Sequence, residues 1–293
     1  MFEGFRSGRL RRGENVEIFY RTGGSGPPLL LLHGYPQTHV IWHRVAPALA
    51  QDFTLVLPDL RGYGASLGPP PDPQHRNYAK RTMAADMAAL MTSLGYDQFA
   101  LAGHDRGGRV GYRLALDHPA RVTRFCAIDI IPTIDVWEEM DAAKAIATYH
   151  WPFLAVPAPL PERLIGNDPE FFVTHLLTRW AGDVGRLSPQ AVAAYVAQFR
   201  NPATVTATCE DYRAGASADW EDDRADRDAG RKLACPVLVL WSRGYLGDKA
   251  SSPAGLWRRW ADDVSEVALD CGHFVPEEEP ERTTEALRSF FVR

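Results

Sequence analysis

The sequence predicts an α/β fold, a mostly parallel sheet flanked by helices with an inserted helical segment. Three observations predict it. Short apolar runs recur and end in turn residues, as buried parallel strands do. Helix-patterned stretches separate them, and such alternation implies a sheet covered on both faces. The rhythm then stops between about Val136 and Arg224 and resumes at Pro236.

Each element has its own signal. Glu14 to Tyr20 alternates in part between polar and apolar residues and reads as an early strand. Leu29 to Leu32 is a continuous apolar run ending at His33-Gly34, and Thr54 to Leu57 is another ending at Pro58-Asp59. Thr82 to Leu94 carries Met83, Met87, Leu90, Met91 and Leu94 at helical spacing. Phe99 to Ala102, Phe125 to Ile131, Pro236 to Trp241 and Glu266 to Leu269 supply the remaining strands. The interrupting stretch is rich in aromatics, among them Trp137, Tyr149, Trp151, Trp180 and Tyr212, and is broken by Pro152, Pro157, Pro159 and Pro161. The simplest account is a helical cap at 136–225, between a first core part at 1–135 and a second at 226–293. The charged run Glu221 to Asp228 reads as a solvated face leading back to the core.

Composition narrows the function. A chain of 293 residues suits one large α/β domain or a domain with an inserted subdomain, and 45% hydrophobic with 24% charged residues is ordinary for a globular protein. The net charge of −5 and the lack of a basic tract argue against nucleic acid. Cys126, Cys209, Cys235 and Cys271 form no Cys-x-x-Cys pair and read as reduced thiols in a cytoplasmic protein. No apolar stretch is long enough for a membrane span, and Met1 to Arg12 lacks the apolar centre of a signal peptide. His39 and His43 stand at i, i+4, but Val40-Ile41-Trp42 lacks the glutamate of a zinc-protease helix, so no metal is expected.

The chemistry gathers at strand ends, where open α/β sheets bind ligands. Gly103-His104-Asp105-Arg106-Gly107 has the G-x-Nuc-x-G pattern of a nucleophile elbow, with Asp in the nucleophile slot. A carboxylate is already ionised at neutral pH and attacks without a base to take its proton. Asp105, Asp129 and His273 follow the order nucleophile, acid, histidine of the α/β-hydrolase triad. Asp270 lies closer to His273 in sequence and competes for the acid role; Asp129 is favoured for its strand-end position. Asp105 would form an ester with an electrophilic carbon. His273, oriented by Asp129, would then activate water, and the backbone N–H groups of Tyr35 and Arg106 would stabilise the oxyanion. Arg106 and Arg109, three apart at a helix start, can share a face and match a substrate carboxylate bidentately. His150, Trp151 and Tyr212 offer N–H and O–H donors to a departing halide, or simply pack the cap.

His33-Gly34-Tyr35-Pro36-Gln37-Thr38-His39, Gly103 to Arg109, Tyr149-His150-Trp151, Cys209 to Gly215 and Gly272-His273-Phe274 together resemble the fluoroacetate (haloacetate) dehalogenase family of α/β hydrolases. The resemblance spans core and cap alike. It implies Asp105 as nucleophile, His273 and Asp129 as the hydrolytic pair, Arg106 and Arg109 as the carboxylate clamp, and His150, Trp151 and Tyr212 as the halide pocket. It implies no cofactor, a small haloacid substrate with water, and a homodimer. Gly108 and Ser217 are small where relatives carry bulkier residues, which predicts a wider pocket, and Trp180 is expected near the pocket mouth. Two other readings stay open. An epoxide hydrolase on this scaffold would use cap tyrosines (Tyr149, Tyr195 or Tyr212) and needs no arginine pair. A non-catalytic receptor for a small acid would need no hydrolytic base.

Overall fold

The computed structural model describes residues 1–247 and 252–292. Among them eight strands form one sheet in the order β1-β2-β4-β3-β5-β6-β7-β8. They are β1 (Arg6–Arg11), β2 (Glu17–Gly23), β3 (Pro28–Leu32), β4 (Thr54–Pro58), β5 (Phe99–His104), β6 (Val122–Ile128), β7 (Val237–Ser242) and β8 (Val264–Leu269). From β4 to β8 every neighbouring pair is parallel. β1 and β2 form an antiparallel edge, joined to the rest through β2 and β4. The α/β class and mostly parallel sheet match the sequence reading.

The central apolar runs became strands because both their faces are covered. Leu29 to Leu32, Leu55 to Leu57 and Val239–Leu240 are fully buried. Helices Lys80–Ser93 and Arg106–Asp117 lie side by side against the sheet, where Met83, Met87, Leu90 and Met91 join one core with Val110 and Leu114. Helix Pro280–Phe291 closes the opposite face with Leu287 and Phe291. β1 is a strand that the sequence reading missed. Its residues RSGRLR carry no apolar alternation, because the strand sits at a solvated edge and pairs only with β2.

Between β6 and β7 the chain is helical, from Thr133–Glu138 to Ala218–Asp228. One expectation fails there. The run Glu221 to Asp228 is not simply a solvated face: Asp219, Asp222, Asp223 and Asp226 are buried on helix Ala218–Asp228. They are buried because they have cationic partners. Asp223 and Asp226 pair with Arg113, and Asp222 with Arg81 and Arg76. This helix is stitched to the core by charge. All four cysteines are buried and unpaired. No helix among the described residues is long and apolar enough to cross a membrane.

Candidate active site

The carboxyl ends of β3, β5, β6 and β8 converge on one place. Asp105 follows β5 in a sharp turn with φ 46° and ψ −118°, a conformation a non-glycine residue adopts only under constraint. The flanking glycines permit it. A side chain at Gly103 would meet the Gly107 carbonyl oxygen at 2.4 Å, and one at Gly107 would meet the His33 carbonyl oxygen at 2.3 Å. The turn lifts Asp105 above the sheet edge. There its Oδ1 accepts a hydrogen bond from the Tyr35 N–H at 2.8 Å. Arg106 opens the next helix, so its own N–H has no partner within that helix. His33 braces the Tyr35 loop from below. Its Nδ1–H donates to the Gly34 carbonyl oxygen (2.9 Å), and its Nε2 accepts from the Leu60 N–H (2.9 Å).

Asp129 and His273 complete a hydrogen-bonded line. Asp129 also has a positive φ, 54°. Its Oδ2 accepts from His273 Nδ1 at 2.7 Å, and its Oδ1 from the Ser242 N–H at 2.8 Å. With Nδ1 turned to Asp129, Nε2 faces Asp105 Oδ2 at 3.9 Å. Asp270 plays no part in this line; it pairs with Arg243 at the exposed surface. Burial alone would raise the Asp105 carboxyl, but His273, Arg109 and Arg106 outweigh it and hold the group below the usual carboxylate range. Burial dominates at Asp129 and raises it.

The two arginines are held differently. Arg106 is fully buried, and Asp211 grips one edge of its guanidinium. Nε lies 3.1 and 3.2 Å from the two carboxylate oxygens, and Nη2 lies 2.6 Å from Oδ1 and 2.6 Å from the main-chain oxygen. The ring of Tyr212 lies 4.2 Å from the guanidinium carbon. Nη1 is buried with no partner. Arg109 Nη1 donates to Ile131 O (2.9 Å) and Thr133 Oγ1 (3.2 Å), and its guanidinium lies over Trp151 at 4.5 Å. Its Nε is also buried and unpartnered. Burial and the neighbouring charge of Arg106 lower the Arg109 pKa, so an added anion there would relieve both residues.

His150, Trp151 and Tyr212 come together on the helical insertion, with ring centroids 5.6 to 6.4 Å apart. Burial holds the His150 pKa down to about 3, so the ring is neutral, and its Nδ1 is buried without a partner. Trp180 lies 4.4 Å from His150, and its Nε1 is likewise unpartnered. Asp105, Arg109, Trp151, Trp180, Tyr245 and His273 line a cavity of about 810 Å³. Arg106, His150 and Tyr212 are outside that lining and pack against Trp151.

Two expectations about pocket width fail. A side chain at Gly108 would meet Gly103 O and Ile130 Cδ1, each at 2.7 Å, so this glycine serves helix–strand contact and not pocket volume. Ser217 Oγ donates to the Arg213 carbonyl oxygen at 2.8 Å, and the residue does not line the cavity. Sequence reasoning also missed supporting residues. Asp211 braces Arg106, and Lys80 joins it, bonded to Asp211 and to Asp219 (2.9 Å). Tyr63 donates to Asp211 at 2.6 Å. The only signal was an acid next to Tyr212, set among Glu210 and Arg213, and its partner lies 105 positions away.

Comparison with known proteins places the chain among α/β hydrolases. The family model of the alpha/beta hydrolase fold matches residues 27–280. A fluoroacetate dehalogenase from a Burkholderia species is 44% identical over 291 residues, covering 99% of this chain and 95% of that protein. A soluble epoxide hydrolase from a Corynebacterium species is 35% identical over 281 residues, covering 94% and 93%. Among solved structures, a Nostoc sp PCC 7120 protein assigned to the alpha/beta hydrolases superposes with TM-score 0.96 at 48% identity, covering 100% of both chains. A Pseudomonas aeruginosa protein assigned to the epoxide hydrolases, solved as a mutant with bound MFA, gives 0.93 at 45% identity, covering 99% and 97%.

Proposed function

Because this chain belongs to the fluoroacetate dehalogenase family of α/β hydrolases, we propose that it hydrolyses the carbon–halogen bond of small 2-halocarboxylates through an ester on Asp105. One observation carries the reading. Arg106 Nη1 and Arg109 Nε are buried, unpartnered donors, on the two arginines whose charge helps hold Asp105 ionised. A buried donor left without an acceptor costs about 1–3 kcal/mol. A substrate carboxylate supplies the missing acceptors and offsets the like charge of Asp105.

The reaction proceeds in two steps. Asp105 attacks the carbon that bears the halogen. The carbon–oxygen bond forms as the carbon–halogen bond breaks, and the halide leaves with its electron pair toward the donors of His150, Trp151 and Tyr212. His273 Nε2 then takes a proton from water, whose oxygen adds to the ester carbonyl. The N–H groups of Tyr35 and Arg106 hold the resulting oxyanion. Collapse expels the alkoxide, which takes the proton from His273 to leave as the 2-hydroxy acid, and Asp105 sheds the remaining water proton to become a carboxylate again. The balance is haloacid plus water to hydroxy acid, halide and a proton, and no cofactor is needed. The helices at 136–225 act as a cap over this site, between core parts 1–135 and 226–293. Exposed apolar side chains on that cap, Ile146, Leu160, Leu164 and Phe171, support a homodimer, which sedimentation of the purified protein tests.

His273→Ala tests the chemistry. Incubated with chloroacetate, it should release one chloride per site and gain the mass of the ester on Asp105, while Asp105→Ala gains none. Full-rate turnover by His273→Ala, or no added mass with substrate bound, refutes the scheme. Epoxide hydrolysis is the second reading, favoured by the 35% identical epoxide hydrolase. It needs free tyrosine hydroxyls over Asp105. Tyr195 is committed to Glu277 at 3.0 Å, and a neutral epoxide makes no use of the arginine pair. Halide from chloroacetate against diol from styrene oxide separates the two.

A further inference from the structure

The short helix that follows β7, Arg243–Leu246, is tied to both halves of the hydrolytic pair. Ser242 at the end of β7 donates its N–H to Asp129. The Gly244 N–H donates to the Cys271 carbonyl oxygen at 3.1 Å, docking this segment on the His273 loop. Tyr245 then lays its ring on the His273 imidazole, with centroids 4.0 Å apart and planes 30° apart. No other aromatic contact in the site is as close. His104 lies on the imidazole at 4.6 Å and bonds the His273 carbonyl oxygen through Nε2 at 2.7 Å. Trp180 stands edge-on to His273 at 5.8 Å and accepts its N–H on the main-chain oxygen at 2.8 Å.

A single hydrogen bond at Nδ1 fixes one direction of the imidazole but leaves the ring free to swing about it. The aromatic neighbours remove that freedom, and Tyr245 is the closest of them. We propose that Tyr245 is a positioning residue for His273, acting in ester hydrolysis and not in halide displacement. Its ring fixes the imidazole plane, and its electron-rich face steadies the positive charge that arises when Nε2 takes a proton from water. The phenol itself exchanges no proton. Burial and the charges of Asp105 and Asp129 keep its hydroxyl protonated. This inference rests on the two-step reading above, in which only the second step uses His273.

The test separates the steps. Bromoacetate makes displacement fast, and mass spectrometry in single turnover follows the ester as it forms and disappears. Tyr245→Leu and Tyr245→Ala should release the first bromide as fast as the natural protein but lose the ester about five- to tenfold more slowly. Tyr245→Phe, which keeps the ring, should restore ester loss to within about twofold. Equal slowing of both steps in Tyr245→Leu means a merely structural role and overturns the proposal. So does a Tyr245→Phe as slow as Tyr245→Leu. Should Tyr245→Ala fail to fold, the Leu and Phe variants carry the same comparison. His273→Ala run alongside keeps the two ideas apart: no ester there sinks the two-step reading itself.

Discussion

Asp211→Asn tests how the carboxylate clamp is built. Asp211 holds the Nε and Nη2 edge of Arg106 and leaves Nη1 buried without a partner. The same carboxylate takes Lys80 and the Tyr63 hydroxyl, and together Arg106 and Lys80 overcome its burial and push its pKa far below the usual range. Asparagine keeps the shape but removes the negative charge that two buried cations share. Breaking a buried ion pair from one side costs about 3–5 kcal/mol. Lys80 keeps Asp219, and Arg106 keeps the main-chain oxygen at residue 211, so the lower end applies, about 3 kcal/mol. At about 2 °C per kcal/mol for a chain of this size, the melting point should fall by about 6 °C. Arg106 also loses its aim. A misplaced positioning group costs up to about 100-fold, and a carboxylate contact present in both ground and transition states appears mainly in KM. Thermal melts and steady-state chloride release from chloroacetate, on both proteins at one pH, supply the two numbers. A variant that melts within about 1 °C of the natural protein with an unchanged KM, against the expected fall of about 6 °C, would refute the brace.

Three further outcomes follow from the same structure. Glu277 is buried, accepts from Gln37 (2.6 Å) and Tyr195 (3.0 Å), and is pushed up by burial to about 8. The folded state keeps this proton long after the unfolded chain gives it up near pH 4.3, so stability is lost as pH rises toward 8, by up to about 1.4 kcal/mol per pH unit. Glu277→Gln should flatten that slope in urea melts between pH 5 and 8.5; parallel curves would count against it. Gly108→Ala gains about 1 kcal/mol of helix propensity but forces contacts at 2.7 Å with Gly103 O and Ile130. A lower melting point with unchanged substrate range is expected, and a higher one would contradict the packing argument. Finally, the cavity of about 810 Å³, bordered by Ile130, Ile131, Val136 and Leu246, has room beyond a two-carbon acid. At about 0.8 kcal/mol per buried methylene, KM should fall about fourfold from chloroacetate to 2-chloropropionate; no turnover of the larger acid would show the space is not open to substrate.

Much of this was legible in the chain. β3, β5 and β7 are continuous apolar runs because both their faces are covered, and Asp105, Asp129 and His273 stand out because strand ends punctuate them. What stayed hidden depends on partners far away in sequence. Asp211 is one acid among others until Arg106 lies against it. Helix Ala218–Asp228 looks solvated until Arg81 and Arg113 meet its acids. β1 has no apolar stripe to read, since its pairing is mainly backbone to backbone. Gly108 shows its purpose only when Ile130 fills the space above it.

The four buried cysteines have a consequence for a protein that handles haloacids. Such acids alkylate exposed thiolates, so under the proposed function exposed, ionised thiols would be a liability. Burial pushes every one of these thiols up, Cys235 the least, to about 11. At neutral pH they are therefore unreactive and out of reach. Iodoacetate, which silences many thiol-bearing enzymes, should therefore leave all four cysteines of the folded protein unmodified at neutral pH.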